Sequence, residues 1–147
     1  MDVAVVFVAE LQGTHASGAT QWLSADKALI QLSCRYKSDD QFWHAFFHEA
    51  AHLLLHGKRE VFIDDSADNG TEEQEREAHD FASALRVPPA KLRRFLEAWS
   101  GDRRSIEQFA DKLGIAPGIV VGQLQHLKVI EFHQLNVLKR YPFDLTE

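Results

Sequence analysis

Gln41-Phe42-Trp43-His44-Ala45-Phe46-Phe47-His48-Glu49-Ala50-Ala51-His52-Leu53-Leu54-Leu55-His56 contains no Gly or Pro, is rich in helix formers and follows Ser38-Asp39-Asp40, three residues able to cap a helix. Gly57 stands where a helix commonly stops. Phe42, Phe46, Ala50, Leu53 and Leu54 recur at spacings of three and four, the pattern of a mostly buried helix. A turn of about 100° per residue puts His48 and His52 on one face, where both imidazoles can reach one ion about 2 Å from each nitrogen. That is how a helix holds a catalytic zinc. Glu49, beside the first imidazole, can then take a proton from metal-activated water and pass it to a leaving amine, while the ion polarises the carbonyl under attack. The chemistry implied is peptide hydrolysis.

His44 and His56 continue the four-residue spacing. Each step drifts the face by about 40°, so the outer pair cannot converge with the inner pair on one ion. They are read as flanking residues, packed or hydrogen bonded. A catalytic zinc usually takes a third protein ligand, and a second helix downstream offers one. It spans Thr71 to Leu85, opened by the capping box Thr71-x-x-Gln74 and closed by Val87-Pro88-Pro89. Ala78, Phe81, Ala82 and Leu85 define its buried face. Glu75 lies nearest that face among the acidic residues and Glu77 next, whereas Glu72 and Glu73 point towards solvent at the favourable end of the helix dipole. Glu75 is the first candidate and Glu77 the second.

With both helices placed, the sequence resembles the ImmA/IrrE family of metallopeptidases. That pattern is Phe-x-x-His-Glu-x-x-His-x-Leu-Leu-His followed by Glu-x-x-Ala-(Asn or Asp)-x-Phe-Ala-x-x-Leu-Leu-x-Pro. The matching stretches run from Ala45 to His56 and from Glu75 to Pro88. The resemblance implies a gluzincin-like zinc site with His48, His52 and Glu75 as ligands and Glu49 as general base. Position 79 would carry an Asn or Asp supporting a ligand histidine; this chain has His79, which cannot copy a carboxylate's charge. Arg86 replaces a usual Leu. Members of the family cleave DNA-binding repressors, and the domain also occurs behind helix-turn-helix modules in regulators, including those of toxin-antitoxin modules. Residues 113 to 126 are similar to the C-terminal part of such regulators. The implied substrate is therefore a helix-turn-helix repressor or antitoxin. The competing reading is a non-proteolytic sensing or protein-interaction domain of a regulator, a standalone peptidase and a piece of a longer chain both being open.

With 147 residues, of which 45% are hydrophobic and 26% charged, the chain can bury one sizeable core, and a single domain is expected over 1–147. Its net charge of −6 argues against phosphate-backbone binding, so Lys91, Arg93-Arg94 and Arg103-Arg104 read as solvated helix faces. One cysteine, Cys34, excludes an internal disulfide and suits a cytoplasmic setting. The apolar run from Val3 to Ala9 lacks a basic leader and is too short to span a bilayer.

The expected class is α+β and zincin-like, with a small antiparallel sheet over 1–35, zinc-site helices over 39–90 and a helical tail over 91–147. Val3–Val8 suits a buried strand, and Thr20–Ser24 with Ala28–Ser33 suggest a hairpin about Ala25-Asp26-Lys27. The hairpin's second arm is the candidate rail for a substrate backbone. Residues 64–70 form a polar loop that lacks the ligand spacing of a calcium site. Helices are expected over 90–99 and 105–113, the latter opening at Ser105, with one or two short ones over 116–140.

Overall fold

The computed structural model describes residues 1–8, 17–33, 37–56, 62–63 and 71–141. Strands β1 (Asp2–Val8), β2 (Gly18–Trp22), β3 (Lys27–Ser33) and β4 (Phe62–Ile63) form one sheet in the order β1-β3-β2-β4. Helices α1 (Asp39–Leu55), α2 (Glu72–Arg86), α3 (Pro89–Ala98), α4 (Arg103–Leu113) and α5 (Pro117–His126) follow, with a 3-10 turn at Asn136–Leu138. The class is α+β. Cys34, Gly57 and the polar loop over 64–70 lie outside the described residues.

The sheet is mixed, which corrects the antiparallel expectation. β2 and β3 make the expected hairpin, with Trp22 opposite Ala28, but β1 runs parallel to β3, with Asp2 opposite Lys27. β2 takes one side of β3 and β1 the other, and the hairpin between β2 and β3 leaves β1 antiparallel to β2 and parallel to β3. β1 is consequently an edge strand and exposed, with Val3, Val5, Val6 and Phe7 between 39% and 54% accessible, instead of buried. Nor can β3 serve as a substrate rail. Both of its sides are already paired, so its backbone has no ladder to offer.

β3 alternates as a half-buried strand should, turning Ala28, Ile30 and Leu32 onto Phe42, Ala45 and Leu53 of α1. A second cluster fills the helical part: Val87, Leu92, Ile106, Ala110, Ile119, Val120, Val121, Leu124 and Leu138. α1 lies between the two, packed on the sheet, on α2 and on α5.

Local chemistry sets the helix starts. Ser38 caps α1 in a reciprocal box with Gln41, and Thr71 caps α2 with Gln74 in the same way. α4 begins two residues before Ser105, because Asp102 is the cap and accepts a hydrogen bond from the Ser105 amide at 2.7 Å.

The first turn of α1 is buried and anchored to the far end of the chain. Asp39 N–H donates to the Arg140 carbonyl at 2.7 Å, Arg140 N–H donates to Asp39 Oδ1 at 3.2 Å, and Lys139 Nζ lies 3.0 Å from Asp40 Oδ2. Burial pushes the Asp39 carboxyl above its ordinary range, with Asp40 adding to the effect. α5 approaches this turn through glycines: a Cβ on Gly122 would stand 2.7 Å from Asp40 Cβ, and one on Gly118 would stand 2.9 Å from Lys139 Cα.

Candidate metal centre

α1 and α2 bring three donor groups to one point. His48 Nε2 and His52 Nε2 are 3.2 Å apart, and the Glu75 carboxylate offers Oε2 at 3.0 Å to the first and Oε1 at 3.3 Å to the second. Among the described residues this is the group of His, Cys, Asp and Glu that could hold a metal ion. The packing explains the meeting: Ala78 and Ala82 are fully buried on α2, small enough to let that helix close on α1. Glu75 projects one turn before Ala78.

The donor set fits a small divalent cation. Adjacent corners of a tetrahedron with bonds of about 2.0–2.1 Å are about 3.3–3.4 Å apart, close to the observed spacings. Burial first, and then His48 and His56, lower the His52 pKa to about 3, so this ring is neutral, the state in which it can ligate.

Glu49 is fully buried beside this point and faces β2. Thr20 Oγ1 lies 2.5 Å from Glu49 Oε2 and 3.1 Å from the Glu49 carbonyl oxygen, so the hydroxyl donates to the residue from the sheet. Gly18 is required alongside, since a Cβ there would stand 2.8 Å from Glu49 Cγ. Sequence reasoning missed Thr20 and Gly18, because only strand register reveals them. The signal available was faint: a Gly and a Thr two apart on a strand preceding the helix.

Glu77, the second candidate ligand, lies away from the three donors; its Oε2 is 3.1 Å from His56 Nε2, and His56 Nδ1 is 2.9 Å from His52 Nδ1. His56 is therefore hydrogen bonded. His44 also flanks the site: Arg86 Nη2 donates to its Nδ1 at 2.8 Å, and burial with the adjacent Arg86 charge lowers its pKa to about 3. Arg86 itself is buried, donates to the Ala82 carbonyl at 3.1 Å, and has its pKa lowered to about 10 by burial. The replacement of an apolar residue by Arg86 is thus matched by His44 opposite it.

His79 packs its ring on His44 with centroids 4.8 Å apart, and its Nε2 lies 2.9 Å from His126 Nε2 at the end of α5. Six imidazoles thus form one file, in the order His126, His79, His44, His48, His52 and His56, with neighbouring centroids 4.5 to 5.8 Å apart.

Among the described residues no helix is long and apolar enough to cross a membrane. A comparison with curated proteins gives no match. The model of the IrrE N-terminal-like domain, however, matches residues 4–124, a span that contains nearly all of the sheet, both helices of the centre and most of α5. A metallopeptidase-type function and metal dependence go with that family, and on this match over most of its length the chain belongs to the IrrE N-terminal-like family.

Proposed function

We propose that this chain is a zinc-dependent endopeptidase with a zincin-like fold, acting on a protein substrate, a helix-turn-helix repressor or an antitoxin. The observation that carries the proposal is the convergence of His48 Nε2, His52 Nε2 and the Glu75 carboxylate at 3.0–3.3 Å. These three residues would hold the ion. When bound, the metal supplies Lewis acidity, polarising the scissile carbonyl and making water a nucleophile near neutral pH.

The chain's own residues do the rest. Thr20 orients the Glu49 carboxylate, which would take a proton from the attacking water and deliver it to the departing amine nitrogen. Being buried, Glu49 holds its geometry without competition from bulk water. Repressor or antitoxin cleavage rests on the family resemblance, and a cytoplasmic setting on the single cysteine.

The test is Glu49→Gln, assayed for zinc content and for cleavage of candidate helix-turn-helix repressors and antitoxins. Zinc should be kept, because the ligands are untouched, and cleavage should fall to background, because an amide cannot take the proton. Cleavage at the parent rate by the variant would refute the role of Glu49. One observation favours a second reading, a non-proteolytic sensing or interaction domain: the burial of Glu49 is complete, so substrate must displace something to reach it. Zinc binding by the parent chain without cleavage of any candidate repressor or antitoxin would support that reading.

A further inference from the structure

The file of histidines does not end at the three donors. It continues on one side through His56 to a carboxylate on the second helix, and the direction of the hydrogen bonds along that branch can be derived. A histidine that ligates through Nε2 must carry its proton on Nδ1. His52 Nδ1 faces His56 Nδ1 at 2.9 Å, so His56 must accept there and carry its own proton on Nε2. His56 Nε2 in turn faces Glu77 Oε2 at 3.1 Å, and a carboxylate accepts that proton. With this assignment each donor along the branch, from His52 to Glu77, meets an acceptor.

We propose that His56 and Glu77 are positioning residues, which fix His52 in the tautomer that ligates metal and raise the basicity of its Nε2. This inference rests on the metal-binding reading above. Glu77 is thereby given a part distinct from that of Glu75: two residues apart on α2, one carboxylate meets the metal face and the other meets the back of the ligand through an intervening ring. Glu75 meets His52 at Nε2 directly, and Glu77 bears on its Nδ1 through His56. The side chain of His56 is only 4% accessible and that of Glu77 is 53%, so the pair runs from the buried ring to the surface. A partner of this kind commonly contributes about 10- to 100-fold in metal affinity.

The experiment compares zinc affinity, by chelator competition, in the full chain and three variants. His56→Phe keeps a ring but offers no acceptor, and should weaken zinc binding by about 10- to 100-fold. His56→Asn places an amide oxygen near the position of the lost Nδ1 and should recover part of the loss. Glu77→Leu, at a half-exposed position, should show a smaller loss in the same direction and remain folded even if the His56 variants do not. Nitrogen-15 spectra of the histidine rings give a readout independent of activity: in the zinc-loaded parent, His52 should carry its proton on Nδ1 and His56 on Nε2. Affinity within about twofold of the parent for both His56→Phe and Glu77→Leu, or a His56 ring protonated on Nδ1, would overturn the proposal. Failure of the parent chain to bind zinc would instead overturn the metal-binding reading itself.

Discussion

Gly122→Ala separates two physical effects of opposite sign. On helix propensity alone, Ala in the middle of α5 should stabilise the protein by about 1 kcal/mol. Sterically, the added Cβ would stand 2.7 Å from Asp40 Cβ and 2.8 Å from Asp40 Cγ, far inside van der Waals contact. Asp40 cannot simply swing away. It is buried, its Oδ1 accepts from Ser38 Oγ at 2.5 Å, its Oδ2 pairs with Lys139 at 3.0 Å, and its carbonyl is near Arg86 Nη1 at 3.4 Å. Either α5 moves off α1 or those bonds stretch. Overpacking of this kind costs about 1–3 kcal/mol, and weakening a buried charged hydrogen bond adds about 1–2 kcal/mol. After the propensity gain, a net loss of about 1–4 kcal/mol remains, or a drop of several degrees in Tm for a chain of this size. Urea denaturation followed by circular dichroism measures it. A variant as stable as the parent, or more so, would refute the close approach of α5 to the first turn of α1.

Other outcomes follow from the same geometry. Zinc should raise the Tm of the parent chain, and Glu75→Ala should remove most of that rise, as differential scanning fluorimetry with and without metal would reveal. Thr20→Val keeps the shape but deletes the hydroxyl donor to Glu49; a loss of about 1–3 kcal/mol is expected in denaturant titrations. The folded pKa of His44 is about 3 against an ordinary 6.5, so below pH 6.5 the unfolded chain binds the proton that the folded chain refuses. Its contribution therefore destabilises the fold progressively from about pH 6.5 down to about pH 3. His44→Gln should flatten that part of the stability profile, and an unchanged slope would contradict the burial of a neutral His44 against Arg86.

Much of the helical framework was legible because it is written in local chemistry. The capping boxes at Ser38 and Thr71 announce the starts of α1 and α2. The apolar periodicity gives the buried faces in part: Phe42, Leu53, Ala78 and Ala82 are buried, but Leu54 and Leu85 are exposed, and His48, Glu49, His52 and Arg86 are buried instead. The local pattern predicts the α4 start at Ser105, yet Asp102, three residues earlier, is the cap. What could not be read depends on contacts between distant segments. β1 is an apolar run that suits a buried strand, but its exposure follows from its place in the strand order, which no local pattern encodes. A helical wheel ranks Glu75 ahead of Glu77 by a small angle only; the approach of α2 to α1 turns the first to His48 and the second to His56. The pairing of His79 with His126 joins residues 47 positions apart and had no signal in either neighbourhood.

The anchoring of α1 by Lys139 and Arg140 bears on where this unit can be cut. The family match stops at residue 124, yet the first turn of the helix carrying His48, Glu49 and His52 borrows its countercharge and its main-chain partners from fifteen residues further on. Trimming at the family boundary would remove Lys139 and Arg140 from two buried carboxylates and loosen the helix from its amino end. The working unit is longer than the part that resembles its relatives.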